Sequence, residues 1–274
     1  MSQAQPDRQT TLTDGTGPRI AERRVVAPFA PLSFKPGPRQ AQETELLHGQ
    51  GFDVHAEQGR YVYGRAAPLQ CGSARRAYVG WVPTKALGAP GPEPTHAVSV
   101  VTAPVFSRAD LKSPIVMSLP LGARIAVMAE AGGYLQIGAG AWMSRLHLRA
   151  LDDPEADFIA VARRYLGQPY VWGGTGARGL DCSGLVQMSL DACGVDAPRD
   201  ADMQEAVLGE PVALDAPRVR GDLLFWAGHV GIMATRTRLL HANATHMSVV
   251  EEPVGAALRR IARAGYPLRS VKRL

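Results

Sequence analysis

The chain changes character near Asp152, and this change constrains the fold more than any other feature of the sequence. Before it, short apolar and β-branched runs such as "GRYVYGR" and "AYVGWV" alternate with glycine and polar clusters, which is typical of small all-β modules. After it, apolar residues recur at helical spacing in "DFIAVARRYLG", with Asp152 or Asp153 as the predicted N-cap, and runs of strand length follow further on. The 274 residues therefore predict all-β modules followed by a mixed α+β domain.

Glycine and proline predict where the β modules begin and end. Residues 1–21 form a polar extension, and "GAPGPEPT" is a linker, because its proline and glycine residues cannot continue regular structure. The segments before and after the linker each contain a Leu-Gly turn, a β piece and a final strand with tryptophan, and each has the length of a small β-barrel. We predict an extension, two β-barrels and an α+β domain over, in order, residues 1–21, 22–90, 91–151 and 152–274.

Composition argues against several classes of protein. The net charge of +5 is modest, and the one dense basic stretch, "RRIARAGYPLRSVKRL", has no aromatic-rich platform, so we expect no nucleic-acid partner. No apolar run approaches the roughly 18 residues of a membrane span, and the N-terminus lacks a secretory signal. We therefore expect a cytoplasmic protein without a membrane partner. Cys71, Cys182 and Cys193 form neither a disulfide framework nor a CxxC pair, and no metal or cofactor is expected.

The stretch "GLDCSGLVQ" raises the question of what its cysteine does. After Ser183 an apolar face recurs at helical spacing as far as Gly194, which places Cys182 in the first turn of a helix. Unpaired backbone N–H groups and the positive end of the helix favour a thiolate there. The residues alone leave two interpretations open, a nucleophile and a small buried side chain. Cys193, on the same helix face, fits the second.

A cysteine nucleophile needs a base, and two histidines are placed to supply one. His229 in "WAGHVGIM" opens a predicted strand, and His241 in "RLLHANA" lies on the next. An odd-length turn centred near Thr235 would set these histidines directly opposite each other on one face, about 5 Å apart, whereas an even-length turn would separate them. The alternative for each is a satisfied structural histidine, and His246 is a weaker candidate for the same role.

Four motif blocks, in order, resemble the NlpC/P60 family of papain-like cysteine peptidases: "YLGQPYVWGG…GLDCSGLVQ", "APRDADMQ", "GDLLFW…GHVGIM" and "LLHANA". The resemblance covers about residues 155–274, and the two β segments resemble bacterial SH3 domains. It implies an α+β papain-like (NlpC/P60) catalytic domain preceded by two small all-β SH3-like barrels. This arrangement is similar to that of cytoplasmic γ-D-glutamyl-L-diamino acid endopeptidases of the dipeptidyl-peptidase VI type.

The resemblance also implies the catalytic roles. Cys182 would be the nucleophile, His229 the general base and His241 the polar group that orients His229. The hydroxyl of Tyr170 would assist the backbone N–H of Cys182 in stabilising an oxyanion.

Five further residues are implied to bind the substrate. Asp181 and Ser183 would line the pocket for a D-glutamyl group. Asp200 would face the substrate's free amine, and Ala201 after it stands where relatives often carry serine. The resemblance implies, more weakly, that two residues of the first β module wall off the site, namely Glu45 and Tyr78.

These roles imply a cysteine endopeptidase that cuts the γ-D-Glu–L-diamino acid bond of murein peptides with a free N-terminal L-Ala, for muropeptide recycling. Carboxylates would read the ammonium group, because a charge-assisted hydrogen bond contributes about 1.5–3 kcal/mol. The alternatives are an N-acetylmuramoyl-L-alanine amidase, a deamidase and a non-catalytic SH3-based protein that binds wall fragments. The sequence leaves open whether the diamino acid is meso-diaminopimelate or lysine, and what the oligomeric state is.

Overall fold

The computed structural model describes residues 17–67 and 78–274 and divides the chain into two compact units, Met1–Pro154 and Glu155–Leu274. Within the described residues, the first unit is built of strands with two short 3₁₀ turns, and the second contains four helices and a sheet. Cys71 and the first 16 residues of the predicted extension lie outside the described residues. The chain thus has an all-β N-terminal region followed by an α+β domain, as predicted.

The first β module buries alternate residues of its strands. Tyr61–Ala66 shows the pattern, with Val62, Gly64 and Ala66 buried and the residues between them half-buried. Its elements are β1 (Ala21–Val25), β2 (Phe29–Leu32), β3 (Thr44–Leu47), β4 (Gly51–Gln58), β5 (Tyr61–Ala66), β6 (Val79–Pro83), a 3₁₀ turn (Thr84–Ala86) and β7 (Leu87–Gly88). One antiparallel sheet has the order β6-β5-β4-β1-β7, and β2 pairs with β3.

The second β module has a hydrophobic core of its own, which includes Val105, Leu119, Ile125 and Met143. Its elements are β8 (His96–Val98), β9 (Thr102–Phe106), β10 (Ile115–Pro120), β11 (Arg124–Ile125), β12 (Ala129–Ala131), β13 (Tyr134–Gly138), β14 (Ala141–Ser144), a 3₁₀ turn (Arg145–His147) and β15 (Leu148–Ala150). The strands form two antiparallel sheets, β10-β9-β14-β13-β12 and β11-β8-β15. The first unit therefore has two separate cores.

The two β modules meet at their backbones. The N–H of Arg124 donates a hydrogen bond to the carbonyl of His48 over 2.8 Å. Gly49 has a φ of +82°, and a Cβ there would lie 2.1 Å from the carbonyl oxygen of Arg124. Since such a distance is impossible for any side chain, glycine is required at this contact.

The second unit consists of one six-stranded sheet and four helices. Its elements are α1 (Phe158–Arg164), α2 (Cys182–Ala192), α3 (Ala201–Val207), β16 (Glu210–Val212), β17 (Leu223–Trp226), β18 (His229–Met233), β19 (Arg238–Asn243), β20 (Ser248–Pro253), α4 (Val254–Arg263) and β21 (Ser270–Arg273). The strand order is β16-β21-β17-β18-β19-β20, and the pairs are antiparallel. This order places β18, β19 and β20 side by side.

Helices cover the sheet of the second unit. The apolar side of α4 packs on Leu224, Trp226 and Leu239, and α2 packs against β18 and β19. Among residues 17–67 and 78–274, no helix combines the length and the apolar character that crossing a membrane requires.

The start of the first helix differs from the sequence prediction. Asp152 or Asp153 was expected as the N-cap, but the cap is Asp157, whose carboxylate accepts a 3.0 Å hydrogen bond from the N–H of Ile159. The prediction is wrong because several aspartates precede the apolar run, and any of them has the right chemistry for a cap. For α2 the predicted start is confirmed, and Gly194 has the positive φ of +75° expected just after a helix.

Candidate active site

Cys182 is the first residue of α2, and its sulfur lies against the beginning of β18. The thiol is 6% exposed, and Sγ is 4.0 Å from the carbonyl oxygen of Gly228. The backbone N–H groups of Ser183 and Val230 donate hydrogen bonds to it. Because Gly228 and Val230 flank His229, the fold brings the predicted nucleophile to the backbone that carries the predicted base.

The protonation of Cys182 differs from the expectation. Burial, followed by the charge of Asp181, raises the pKa of the thiol to about 12, although the N–H groups of Val230 and Ser183 oppose this shift. Burial therefore favours the neutral thiol and opposes the thiolate that the helix N-terminus favours. Loss of hydration outweighs the helix N-terminus at a site this deeply buried.

Cys193 also differs from the prediction, which made it an ordinary core residue on the same helix face. The helix ends at Ala192, and Cys193 is the half-buried C-cap residue. Its backbone N–H bonds to carbonyl oxygens of the last turn. Its position depends on where the helix stops, which periodicity alone places only within a residue or two.

His229 and His241 are joined directly, with 2.9 Å between Nε2 of His229 and Nδ1 of His241. The pairing is not the predicted one. Met233 lies opposite Leu239, so the loop of residues 234–238 has an odd length but is centred one residue later than expected. The two imidazoles therefore share a face, as predicted, but lie diagonally across the two strands rather than directly opposite.

The diagonal arrangement depends on Gly231. Continuing the register of β18 and β19 brings this glycine opposite His241, and a Cβ on it would lie 3.3 Å from Cβ of His241. It would also lie 2.9 Å from Cδ1 of Leu239. The missing side chain leaves room for the imidazole of His241 to reach His229.

His229 is half-buried beside an aromatic ring, and its surroundings favour the neutral imidazole. The ring centroid of Trp226 lies 5.4 Å from that of His229. Burial, and then the charge of His241, lowers the pKa of His229 to about 3. These two shifts favour a neutral thiol beside a neutral imidazole, so a base acting here would have to take a proton from the sulfur.

His229 and His241 begin a row of hydrogen-bonded side chains. Two residues that were not predicted from the sequence, Glu252 and Arg260, continue this row. Nε2 of His241 lies 2.8 Å from Oε1 of Glu252 on β20, and both oxygens of Glu252 accept from the guanidinium of Arg260 on α4, over 2.6 and 2.7 Å. Arg260 lowers the pKa of Glu252 to about 2, with a further contribution from His241. The sequence "EEP" contains two adjacent glutamates, which could have indicated a carboxylate near the histidines. Adjacent residues of a strand point to opposite faces of the sheet, so only the strand register shows which glutamate faces His241.

Asp181 is fully engaged within the protein. Its carboxylate accepts from the N–H of Gly184, which makes it the N-cap of α2, and from the N–H of Gly173 in the glycine-rich loop. It also accepts two hydrogen bonds from the guanidinium of Arg199, over 2.8 and 2.7 Å. The carboxylate of Asp181 therefore joins the loop, the helix and Arg199, and its predicted place in the pocket for a D-glutamyl group stays a prediction.

The neighbouring Ser183 belongs to the same cluster, since its hydroxyl oxygen accepts from Arg199 over 3.1 Å and lies 3.4 Å from Oδ1 of Asp181. Arg199, inside the quoted block "APRDADMQ", was not singled out from the sequence. Its two carboxylate contacts explain how an arginine that is 3% exposed is accommodated.

Tyr170 lies close to the thiol. Its backbone N–H bonds to the carbonyl of Met247, and it bridges to Leu180 just before α2. Burial raises the pKa of its hydroxyl, and the charge that Cys182 carries as a thiolate raises it further. The hydroxyl remains protonated and is available as a hydrogen-bond donor.

The other predicted substrate residues are placed as follows. Asp200 precedes α3 at its N-cap position and is half-buried, without a side-chain capping bond. Glu45 lies on β3 and is buried, and Tyr78 is part of the first β module's core. The roles of these three residues stay predictions. His246 bonds to Oδ1 of Asn243 over 2.9 Å and is not a member of the row.

Comparison with known proteins connects this geometry to a family. Residues 167–260 match the model of the NlpC/P60 family. The chain is 29% identical over 229 residues to a gamma-D-glutamyl-L-lysine dipeptidyl-peptidase of Bacillus subtilis, which covers 76% of this chain and 74% of that protein. It is 38% identical over 85 residues to a dipeptidyl-peptidase 6 of Lysinibacillus sphaericus, covering 31% of each.

The solved structures include one with the same fold along most of the chain. An NlpC/P60 family protein from Bacillus cereus aligns with a TM-score of 0.77 at 21% identity, covering 92% of this chain and 99% of that one. At this identity the likeness establishes the fold.

Proposed function

Residues 167–260 form an NlpC/P60 peptidase domain, and on that premise we propose that the protein is a cysteine peptidase that cleaves the γ-D-Glu–L-diamino acid bond of murein peptides with a free N-terminal L-Ala. The single observation that carries the proposal is the 2.9 Å bond between His229 and His241 beside the buried thiol of Cys182. A nucleophile, a base and a group that orients the base are the parts that acyl transfer requires.

In the first half of the reaction, His229 removes the thiol proton of Cys182 as the sulfur attacks the γ-carbonyl carbon of D-Glu. The carbonyl π electrons move to oxygen, and the oxyanion accepts hydrogen bonds from the backbone N–H of Cys182 and the hydroxyl of Tyr170. The C–N bond then breaks, and the imidazolium of His229 gives its proton to the leaving amine of the diamino acid. A thioester remains on Cys182.

In the second half, His229 removes a proton from water, and the resulting hydroxide adds to the thioester carbon. Collapse of the tetrahedral intermediate releases the carboxylic acid of the L-Ala-γ-D-Glu product and the thiolate, which recovers its proton from His229. His241 accepts or shares a hydrogen bond with His229 throughout, so the base keeps its orientation.

One comparison supports the choice of substrate. The Bacillus subtilis protein that is 29% identical to this chain over 229 residues is named a gamma-D-glutamyl-L-lysine dipeptidyl-peptidase. As the resemblance implies, Asp200 would read the ammonium group of L-Ala, since Asp181 is already neutralised by Arg199. As part of the proposal, the two β modules are SH3-like.

The proposal includes a role in recycling wall fragments in the cytoplasm. A site closed beyond the substrate's amino group would accept released peptides and reject intact wall, in which L-Ala is attached to sugar. Separation of cell fractions, with the protein followed by antibody, tests the location.

The test of the activity uses L-Ala-γ-D-Glu-meso-diaminopimelate, its L-lysine counterpart and the N-acetylated form of each. We expect release of L-Ala-D-Glu and the free diamino acid from the unblocked peptides, identified by mass, and little reaction with the acetylated ones. Equal cleavage of both forms contradicts the amine requirement. Release of the whole peptide from an N-acetylmuramoyl conjugate identifies an amidase, and loss of a side-chain amide without cleavage identifies a deamidase.

A further inference from the structure

Three consecutive strands place a row of three side chains on one face of the sheet. His229 lies on β18, His241 on β19 and Glu252 on β20. Val250 lies opposite His241, and Glu252 is two residues further along β20, so it points to the same face as His241. Arg260 of α4 then closes the row by binding both carboxylate oxygens of Glu252.

We propose that Glu252 is a positioning residue, which fixes the protons of His241 and His229 so that His229 presents its unprotonated Nδ1 towards Cys182. It acts through His241 and does not itself touch the substrate. The kinetic consequence rests on the proposed function, whereas the proton positions do not.

The argument begins at the arginine end of the row. The carboxylate of Glu252 accepts two hydrogen bonds from Arg260, over 2.7 and 2.6 Å, and an arginine is always charged and only donates. The carboxylate is therefore ionised and can only accept. The contact of 2.8 Å with Nε2 of His241 must then be an N–H of His241 that donates to Oε1.

The proton on Nε2 decides the other nitrogen of His241. Burial lowers the pKa of His241 and so favours the neutral ring, in which a proton on Nε2 leaves Nδ1 as an acceptor. The 2.9 Å bond to His229 must therefore be donated by Nε2–H of His229. The remaining nitrogen of His229, Nδ1, keeps its lone pair and is the atom that can take the thiol proton.

The opposite arrangement is disfavoured by the same contacts. If His241 carried its proton on Nδ1, its Nε2 lone pair would face an ionised carboxylate oxygen 2.8 Å away. His229 would then carry its proton on Nδ1 and could not act as a base. A carboxylate at the end of the row thus selects the productive tautomer at both histidines.

The charges around the row are few within the described residues that contact it. His241 is influenced by Glu252, Arg260 and His246, and His229 by His241 and Arg260. Glu252 alone raises the pKa of His241, and the other groups oppose it. Removing the charge of Glu252 should therefore lower the pKa of the histidine pair.

The adjacent Glu251 provides a matched control. It lies on the same strand but points to the other face, where it pairs with Arg163 over 2.9 Å and with Arg238 over 3.6 Å. Its substitution removes an equally buried ion pair without touching the histidines. We therefore compare Glu252→Gln with Glu251→Gln in the full-length protein.

The first readout needs no substrate. Imidazole ¹⁵N chemical shifts, assigned with His229→Gln and His241→Gln, are expected to show Nε2–H tautomers at both histidines in the wild type and in Glu251→Gln. Glutamine at position 252 can donate as well as accept, so Glu252→Gln should show a mixture. Nδ1–H at His241 in the wild type, or an unchanged tautomer in Glu252→Gln, overturns the proposal.

The second readout is the pH dependence of peptide cleavage. We expect Glu252→Gln to lower kcat roughly 10- to 100-fold with little change in KM, as for outer groups that orient an imidazole, and to move the acid limb down by about one pH unit. Glu252→Asp, which keeps the charge, should recover part of the rate. Equal losses in Glu251→Gln and Glu252→Gln, with the same acid limb, would show a structural role and overturn the proposal. If no variant or wild type cleaves the peptide, the proposed function fails while the shifts still decide the proton positions.

Discussion

Two carboxylate–arginine pairs serve Cys182, and they do so in different ways. Asp181 and Arg199 lie at the start of α2, and Glu252 and Arg260 lie behind the histidines. In the first pair the carboxylate also binds backbone N–H groups, and in the second it binds an imidazole.

The difference in burial explains why the same two residue types take different tasks. The side chains of Asp181 and Arg199 are 9% and 4% exposed, whereas those of Glu252 and Arg260 are 13% and 32% exposed. A pair withdrawn from water must have every hydrogen bond satisfied, and it then holds the surrounding backbone rigidly. In the more exposed pair, the carboxylate of Glu252 binds an imidazole rather than backbone N–H groups, and it fixes the position of the proton on His241.

The comparison of the two pairs depends first on whether Cys182, which lies between them, is the nucleophile. Replacing Cys182 with alanine should lower peptide cleavage by at least about 10⁴-fold, as for loss of other nucleophiles. Cys193→Ala, at the other end of the same helix, should keep the wild-type rate. Both rates are measured from product release, and a retained activity in Cys182→Ala would assign the chemistry to another group.

The proton on that thiol gives the next largest effect. Since the pKa of Cys182 is raised to about 12, the thiolate fraction should grow tenfold for each pH unit below that value. Alkylation of Cys182 by iodoacetamide, followed by peptide mass mapping, should therefore accelerate about 10³-fold from pH 7 to pH 10. A rate that is independent of pH across this range would indicate a thiolate–imidazolium pair in the resting protein.

The contrast between the pairs themselves is sharpened by unfolding measurements. Asp181→Asn keeps a capping oxygen but removes the negative charge to which the buried Arg199 donates two hydrogen bonds, which should cost about 3–5 kcal/mol of unfolding free energy. Glu252→Gln should cost less than about 1 kcal/mol, because Arg260 can reach water. Urea titrations of both variants measure the difference in unfolding free energy. Equal costs would contradict the conclusion that burial gives the two pairs different contributions to stability.

The smallest expected effect concerns the space beside His241 that Gly231 leaves open. Gly231→Ala places a methyl group 3.3 Å from Cβ of His241 and 2.9 Å from Leu239, so the histidine must shift by a few tenths of an ångström. We expect kcat to fall less than about 10-fold, since a displacement of a full ångström costs about 100-fold. Gly255→Ala on α4, whose Cβ would meet only the flexible end of Arg259, is the matched control and should keep its rate.

The sequence predicted the parts of the site that carry reactive atoms. Cys182 was identified as a candidate nucleophile because it stands where an apolar face with helical spacing begins, so that it lies at a helix N-terminus. His229 and His241 were identified because each lies in a strand-length run at a spacing that a hairpin can bring together. The change near Asp152 from strand-length apolar runs to helical spacing of apolar residues predicted an α+β domain after an all-β region.

The supporting groups could not be predicted, because they depend on register and burial. Glu252 and Glu251 are indistinguishable in the sequence, and only the pairing of β19 with β20 shows which one faces His241. Burial, which the sequence does not report, raises the pKa of Cys182 and opposes the effect of the helix terminus. Arg199, the partner of Asp181, could not be predicted because it lies in a different block of the chain.

The register between β18 and β19 decides on which side of the sheet His241 lies. A slip of β19 by one residue would turn every side chain of that strand over, and His241 would leave the face that carries His229. A slip of two residues would keep the face but move the imidazole along the strand, away from His229. Any change in the loop of residues 234–238 that keeps the site intact must therefore be absorbed within the loop, without moving the pairing of Met233 with Leu239.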